Sequence, residues 1–428
     1  MFNLLCNAYY VLIIFHRLHR YAAPGSLQML QLLNLNDDCL YSICAFLELD
    51  DQLSMKNACR RLDLVVKLLW RYQCKILSIT YTQMMTFKEE GKQNFVDLMT
   101  CVCDSLEELS IANIESAQLR WVAHLRFPKL NFLECNISHN ENGANDDDVR
   151  FVTQMCPYIT KLVLMSSTTG KYIVNLHLLT ELDLSCCNYL DTAYLAEICQ
   201  TLKLRKLSLL YYGYNTLLDD GLSSIANCHT LEELKIDDHH LLLFIDELLG
   251  MPRMRKIVCY TRDYDVFLMG KLAQAHGVRI HTLIFNSVLW SNDRHVAYIR
   301  LMPNLQRFIL QDDDIEDEQL EILAQCLNQL REFHFSSSRL ESDNGILDIV
   351  KRCKKLEVLN LTKSNISGNF LQKIDAVLSE TKRDGPLKLY CGETAIANEL
   401  ILENEQLLVT IEEPLLKLPC GRCFQCEW

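Results

Sequence analysis

Three cysteines close the chain in the pattern C-x-x-C-x-x-C, at Cys420, Cys423 and Cys426. Thiolates at this spacing are soft metal ligands or redox partners. A tetrahedral zinc site needs four ligands. Here the two CxxC pairs share Cys423 and no histidine lies nearby in sequence, so Cys391 is the one thiol considered as a fourth ligand. The trio stands as a weak metal candidate that also suits acylation; a disordered terminus is the simpler reading. No cofactor is expected. A second pair, Cys186 and Cys187, sits in "LTELDLSCCNYLD". No nucleophile elbow, G-x-G-x-x-G, phosphate loop or His-Glu metal motif occurs, and the twelve histidines are scattered. The expectation is a protein that is not an enzyme.

What surrounds the cysteines explains most of the 20. The pattern apolar-x-x-apolar-x-apolar recurs eleven times. It reads LEELSI at Leu106, LNFLEC at Leu130, ITKLVL at Ile159, LTELDL at Leu179 and LRKLSL at Leu204. It continues as LEELKI at Leu231, MRKIVC at Met254, IHTLIF at Ile280, LQRFIL at Leu305, LREFHF at Leu330 and LEVLNL at Leu356. Successive starts lie 20 to 29 residues apart. Each hexamer suits a short strand with its first, fourth and sixth residues inward. Between them "DTAYLAEIC", "DDGLSSIANC", "EDEQLEILAQC" and "SDNGILDIVKRC" open on acidic or small polar residues and then space apolar residues three or four apart, as helices do. "SSTTGKYIVN" lacks that spacing and predicts an extended crossing. One strand and one helix cannot bury an apolar face alone, so the units must stack. Cys103, Cys156, Cys228 and Cys353 fall three residues before a strand start, Cys326 four and Cys199 five. Such recurrence points to a packing slot for reduced thiols.

This array resembles the leucine-rich repeat, whose pattern continues x-x-N/C after the hexamer; Cys187 occupies that ninth position. The resemblance implies an α/β solenoid, a leucine-rich-repeat horseshoe of about 11 repeats of ~25 residues. Strands would line its concave side. There the fifth strand position holds three successive aliphatics, Val258, Ile284 and Ile309, with Tyr260, Asn286 and Arg307 beside them. An exposed apolar patch rimmed by polar groups marks a partner site, so these six residues are the expected substrate contacts.

Ahead of the repeats, residues 32–70 show three short helical patterns. Leu35, Asp38, Cys39 and Leu40, then Ile43, Phe46 and Leu47, then Asp51, Leu53, Cys59, Arg60 and Trp70 follow the order of the F-box motif. Asn36 replaces its usual proline, and Leu62 stands near its usual aromatic. An F-box followed by leucine-rich repeats resembles the substrate receptors of SCF-type ubiquitin ligases. That resemblance implies binding of the Skp adaptor, and through it a cullin, by Leu35, Leu40, Ile43, Phe46, Leu47 and Leu53, with an unknown protein substrate on the repeats. A leucine-rich-repeat scaffold unrelated to ubiquitination is the alternative.

The expected boundaries are 1–29, an extended start with Met29 as an alternative initiator; 30–75, the three-helix F-box-like domain; 76–105, a linker and cap; 106–384, the repeats; and 385–428, a C-terminal cap and Cys-rich tail. A net charge of −13 argues against nucleic acid and anionic membrane as partners. The apolar run in "MFNLLCNAYYVLIIFHRLHR" precedes its basic residues, the reverse of an export signal. Reduced thiols in cytoplasm or nucleus are therefore expected. The acidic run Asp312–Glu318 reads as a helix start, and Asn140–Asp148 as an exposed loop insertion.

Overall fold

The computed structural model describes residues 32–138, 143–185, 187, 189–210, 220–237, 245–248, 251–261, 266–286, 293–311, 315–383, 385–396 and 405–411. The chain divides into two compact units, one built from residues up to 139 with 147–162, the other from 140–146 and 163 onward.

The first unit begins with three helices, α1 (Asp37–Cys44), α2 (Leu49–Ala58) and α3 (Arg60–Gln73). Asn36, at the site of the missing proline, caps α1 by accepting the Cys39 N–H at 2.8 Å. An asparagine carbonyl satisfies an orphan amide that a proline cannot. Leu40, Cys44, Leu62, Val65, Val66, Leu69 and Trp70 pack inward. The indole N–H of Trp70 donates to Gln52 Oε1 at 2.6 Å, and Gln52 Nε2 donates to the Leu47 carbonyl at 2.8 Å, so one side chain ties α3 to the turn after α1. Buried Lys56 pairs with Asp97 at 2.9 Å and Asp63 at 3.5 Å. Lys67 joins both carboxylates from α3, so the helices are fastened to the following helix, Lys92–Val102. Burial pushes the Asp97 carboxyl up, but the bonds from Lys56 and Lys67 hold it below its ordinary value.

Three parallel strands follow, β1 (Ile76–Ile79), β2 (Glu108–Ile114) and β3 (Phe132–Ile137). β2 is bulged between Ile111 and Ile114, where Asn113 takes φ 57°, a region asparagine tolerates. The division between the units falls inside β4 (Lys161–Met165).

The second unit carries β5 (Glu181–Asp183), β6 (Lys206–Leu209), β7 (Glu233–Asp237), β8 (Lys256–Thr261), β9 (Ile280–Asn286), β10 (Arg307–Gln311), β11 (Glu332–His334), β12 (Val358–Asn360), β13 (Leu387–Tyr390) and β14 (Leu407–Thr410). Each pairs in parallel with the next in chain order, an α/β solenoid. Leu182, Leu207, Leu234, Ile257, Leu283, Phe308, Phe333 and Leu359, the fourth position of successive hexamers, form one buried row. Burying each contributes roughly 1.5–3 kcal/mol relative to exposure. The rings of Phe308 and Phe333 stack at 5.4 Å.

All eleven hexamers contain a strand, and three strands lie outside them. In the first unit the strands therefore begin at Ile76, inside the stretch expected to be a linker, and in the second they reach Thr410, inside the expected C-terminal cap. Helices cover Thr192–Thr201, Asp317–Cys326 and Asn344–Arg352 as the spacing predicts, whereas Asp220–Asn227 is a 3₁₀ segment. "SSTTGKYIVN" is a crossing with one 3₁₀ turn, Ile173–Asn175. The expected loop insertion is corrected in part: a helix starts at Asp146. Asp146 accepts from the Thr168 hydroxyl at 2.7 Å and the Thr169 N–H at 2.8 Å, which uses its charge to hold a turn.

Candidate functional site

The helical module sorts its candidate contacts by burial. Leu40 and Leu53 are inside, at 0% and 8% exposure. Leu35, Ile43 and Leu47 are half-buried, and Phe46 stands 56% exposed in the turn after α1. The expectation that the six residues are adaptor contacts is thus corrected for Leu40 and Leu53. Helical periodicity brings them to the inner side, where they fill the module's own core. Leu35 is held from behind, since Arg61 donates to the Leu33 and Leu35 carbonyls at 2.5 and 2.7 Å and pairs with Asp37 at 2.7 Å. Leu64, Leu68 and Tyr72, which sequence reasoning did not single out as contacts, are exposed on α3 at 56%, 46% and 68%. Their i, i+4, i+8 spacing was the available signal.

On the strands the outcome differs. Val258, Ile284 and Ile309 are buried, at 3%, 0% and 0%. The exposed apolar patch expected there is therefore corrected: β-branched side chains at this position serve the fold's own packing. Arg307 is half-buried and pairs with Glu332 at 2.7 Å. Tyr260 and Asn286 lie on β8 and β9, and their side chains fall outside the described residues.

The face of the second unit that carries these positions is laced by charge pairs between neighbouring strands. Glu181 meets Lys206 at 2.8 Å, Glu233 meets Lys256 at 3.1 Å, and Arg307 meets Glu332, each at the third hexamer position. At the second position Arg205 holds Glu232 at 3.0 Å and Arg331 holds Glu357 at 2.5 Å. The His334 ring lies 3.7 Å from Glu332, whose carboxyl is held below its ordinary value by His334 and Arg307 despite burial. Beside them the hydroxyls of Ser185 and Ser208 share a hydrogen bond at 2.9 Å, and Asp183 accepts the Ser185 N–H at 2.9 Å. Burial pushes the Asp183 carboxyl up. The exposed or half-buried members of this set, Glu181, Lys206, Glu233, Lys256, Arg307 and Glu332, make the face polar. The set includes no nucleophile paired with a base.

Of the cysteines expected in packing slots, Cys156, Cys187, Cys199, Cys228 and Cys353 are buried, whereas Cys103 and Cys326 are half-buried. Cys187 is fully buried and its thiol points at the Leu164 carbonyl at 3.3 Å. Cys353 reaches the Leu327 carbonyl at 3.3 Å and Cys228 the Leu204 carbonyl at 3.6 Å, each one repeat back. Burial pushes the Cys187 and Cys353 thiols up to about 12, and those of Cys156 and Cys199 well above the ordinary range. Among the described residues no group of three or more His, Cys, Asp or Glu could hold a metal ion. Cys420, Cys423 and Cys426 lie outside the described residues, as does Cys186. No described helix is long and apolar enough to cross a membrane.

No protein-family model matches the chain, and no curated protein matches it either. Solved structures do. A chain of the TLR13–ssRNA13 complex aligns at TM-score 0.31 and 14% identity, over 71% of this chain and 38% of that one. This chain thus spans well under half the length of that neighbour. A chain of the yeast Rad7–Elc1 complex aligns at TM-score 0.44 and 12% identity, over 91% of this chain and 99% of that one. At these scores neither likeness assigns a function. The class is set by the strand order and register: α/β repeats preceded by a three-helix module.

Proposed function

We propose that the protein is a substrate-recognition adaptor of an SCF-type E3 ubiquitin ligase, a non-catalytic subunit that promotes degradation of a bound protein. The observation that carries this reading is a three-helix module, in F-box residue order, that leaves Phe46 exposed between half-buried Ile43 and Leu47. An apolar helix face of this kind docks against a partner's groove. The module would bind the Skp adaptor and so a cullin, and the leucine-rich repeats would present an unidentified protein to a separate conjugating enzyme. The mechanism is proximity. The chain contributes no covalent step. With Val258, Ile284 and Ile309 buried, the substrate would meet the polar ladder of Lys206, Glu233, Lys235 and Lys256.

The test is copurification of the full chain with Skp. Phe46→Glu should reduce recovery at least tenfold while leaving the melting temperature within a degree or two, because an exposed site carries little stability. Undiminished recovery sinks the contact assignment. Leu40 is unsuitable for this test, since a charge there would unfold the module. The second reading, a leucine-rich-repeat interaction scaffold outside the ubiquitin system, draws on Leu40 and Leu53, which pack as members of a plain helical cap. Absence of Skp binding by the unaltered chain would favour it.

A further inference from the structure

We infer that the outer face of α3 is a second docking surface, and that it takes an acidic amphipathic helix from another protein. This does not rest on the ubiquitin reading. α3 turns about 100° per residue, so its positions divide cleanly into arcs. Val65, Leu69, Leu62, Val66 and Trp70 occupy the buried arc. Leu64, Leu68 and Tyr72 form a separate apolar stripe, rising about 12 Å along the axis, and all three are exposed. Three large apolar side chains in a row on one solvent-facing stripe are unusual, since exposed apolar groups normally occur singly.

Charge says what covers the stripe. Arg60 and Arg71 lie along one edge of it, near its two ends and about 16 Å apart along the axis. Both are exposed, and neither has a carboxylate partner among the described residues. The other cations of α3 are engaged, Arg61 by Asp37 and Lys67 by Asp63 and Asp97. In a chain of net charge −13, two unengaged guanidinium groups bordering an apolar stripe select a negative partner. A second copy of this chain is the wrong complement. An antiparallel two-fold contact through the stripe is self-complementary only in shape, since it would bring Arg60 of one copy against Arg71 of the other, and a parallel one would leave the arginines facing an edge of α3 that carries no carboxylate. The fitting occupant is a helix with apolar residues at i, i+4 and i+7 and carboxylates along the edge that meets the arginines.

The test uses the full chain and two fluorescein-labelled helical peptides with that leucine spacing, one bordered by glutamates and the other by lysines, read by anisotropy. The acidic peptide should bind at least tenfold tighter than the basic one and weaken as salt rises, because rim charges are screened. Leu68→Asp should abolish binding with the melting temperature unchanged. Arg60→Glu with Arg71→Glu should reverse the preference between the peptides, an effect that simple misfolding cannot produce. Equal binding of the two peptides, or binding of neither, overturns the inference. So does self-association in light scattering that Leu68→Asp removes, which would make the occupant a second copy. Cosedimentation with vesicles of equal phosphatidylserine and phosphatidylcholine that the same variant removes would make it a membrane, and equally overturns the inference.

Discussion

Four of the thirteen large apolar side chains left exposed among the described residues, Phe46, Leu64, Leu68 and Tyr72, fall within the short helical module, while only three fall in the whole of β5 to β14 and their connections. The two regions are built from similar residues. They differ in what covers them. From β6 to β13 each strand has a neighbour on both sides, so the apolar residue at the fourth position finds a buried row to join. The module is small, and a helix whose apolar residues spread beyond the arc it can bury must leave some outside. α3 is such a helix, with Leu64, Leu68 and Tyr72 exposed beside its buried arc. Apolar surface that the repeats consume in their own assembly remains available on the module, and the repeats instead present ion pairs. Recognition by the two regions should therefore differ in kind, apolar at the module and polar along the strands.

Substitutions can break this contrast. The largest effect is expected from Phe333→Ala, at the centre of the stacked aromatic row, at about 3–5 kcal/mol in urea unfolding; a cost below 1 kcal/mol would mean that the row is not the core it appears from burial. Leu40→Ala in the module should lose about 2–4 kcal/mol, measured in the same way, because its side chain is wholly enclosed. Asp343→Asn comes next, at about 1–3 kcal/mol. Buried Asp343 accepts the Ser367 N–H at 3.0 Å and pairs with Lys373 at 2.6 Å, tying one repeat to the next. Burial alone would raise its pKa, but Lys373 and Ser367 hold it below the ordinary value of 3.8. Its folded-state pKa is thus depressed, so its contribution is present above the unfolded value and is lost as pH falls through the folded one. Wild type should lose stability relative to Asp343→Asn on acidification below about pH 4, and parallel pH profiles would contradict the assignment. Lys256→Ala should cost at most ~1 kcal/mol, as a half-exposed ion pair does. Leu64→Ala and Leu68→Ala should each change stability by under ~0.5 kcal/mol. A loss of several kcal/mol at either position would place the α3 stripe in the core and erase the contrast.

The strands were legible in the sequence because the first, fourth and sixth hexamer positions are filled by large apolar residues. Where the first position is not, the strand went unseen. Register aligns Cys74, Pro386 and Gln406 with that position in β1, β13 and β14, and none of them marks a leucine-rich start. Pairing with a neighbour supplied what local pattern lacked. The helix starts at Asp191 and Glu316 were legible because capping is local: Asp191 accepts the Ala193 N–H, and Glu316 forms a capping box with Gln319. Inner-face burial was not legible. Val258, Ile284 and Ile309 alternate with core positions as exposed strand residues do, and only the assembled chain encloses them. The module showed the reverse error. In the sequence Leu64 and Leu68 belong to one apolar run with Val65 and Leu69, yet a 3.6-residue turn separates the two pairs, leaving the first exposed and the second buried.

The thiols of Cys187, Cys228 and Cys353, each aimed at a carbonyl one repeat back, have a consequence for measurement. The nucleophile is the thiolate, and burial keeps its fraction negligible while the repeat is closed. Alkylation at each of these sulfurs can proceed only when its own repeat opens. Their modification rates, followed separately by mass spectrometry, would serve as a set of clocks spaced along the array, each timing the opening of a different segment.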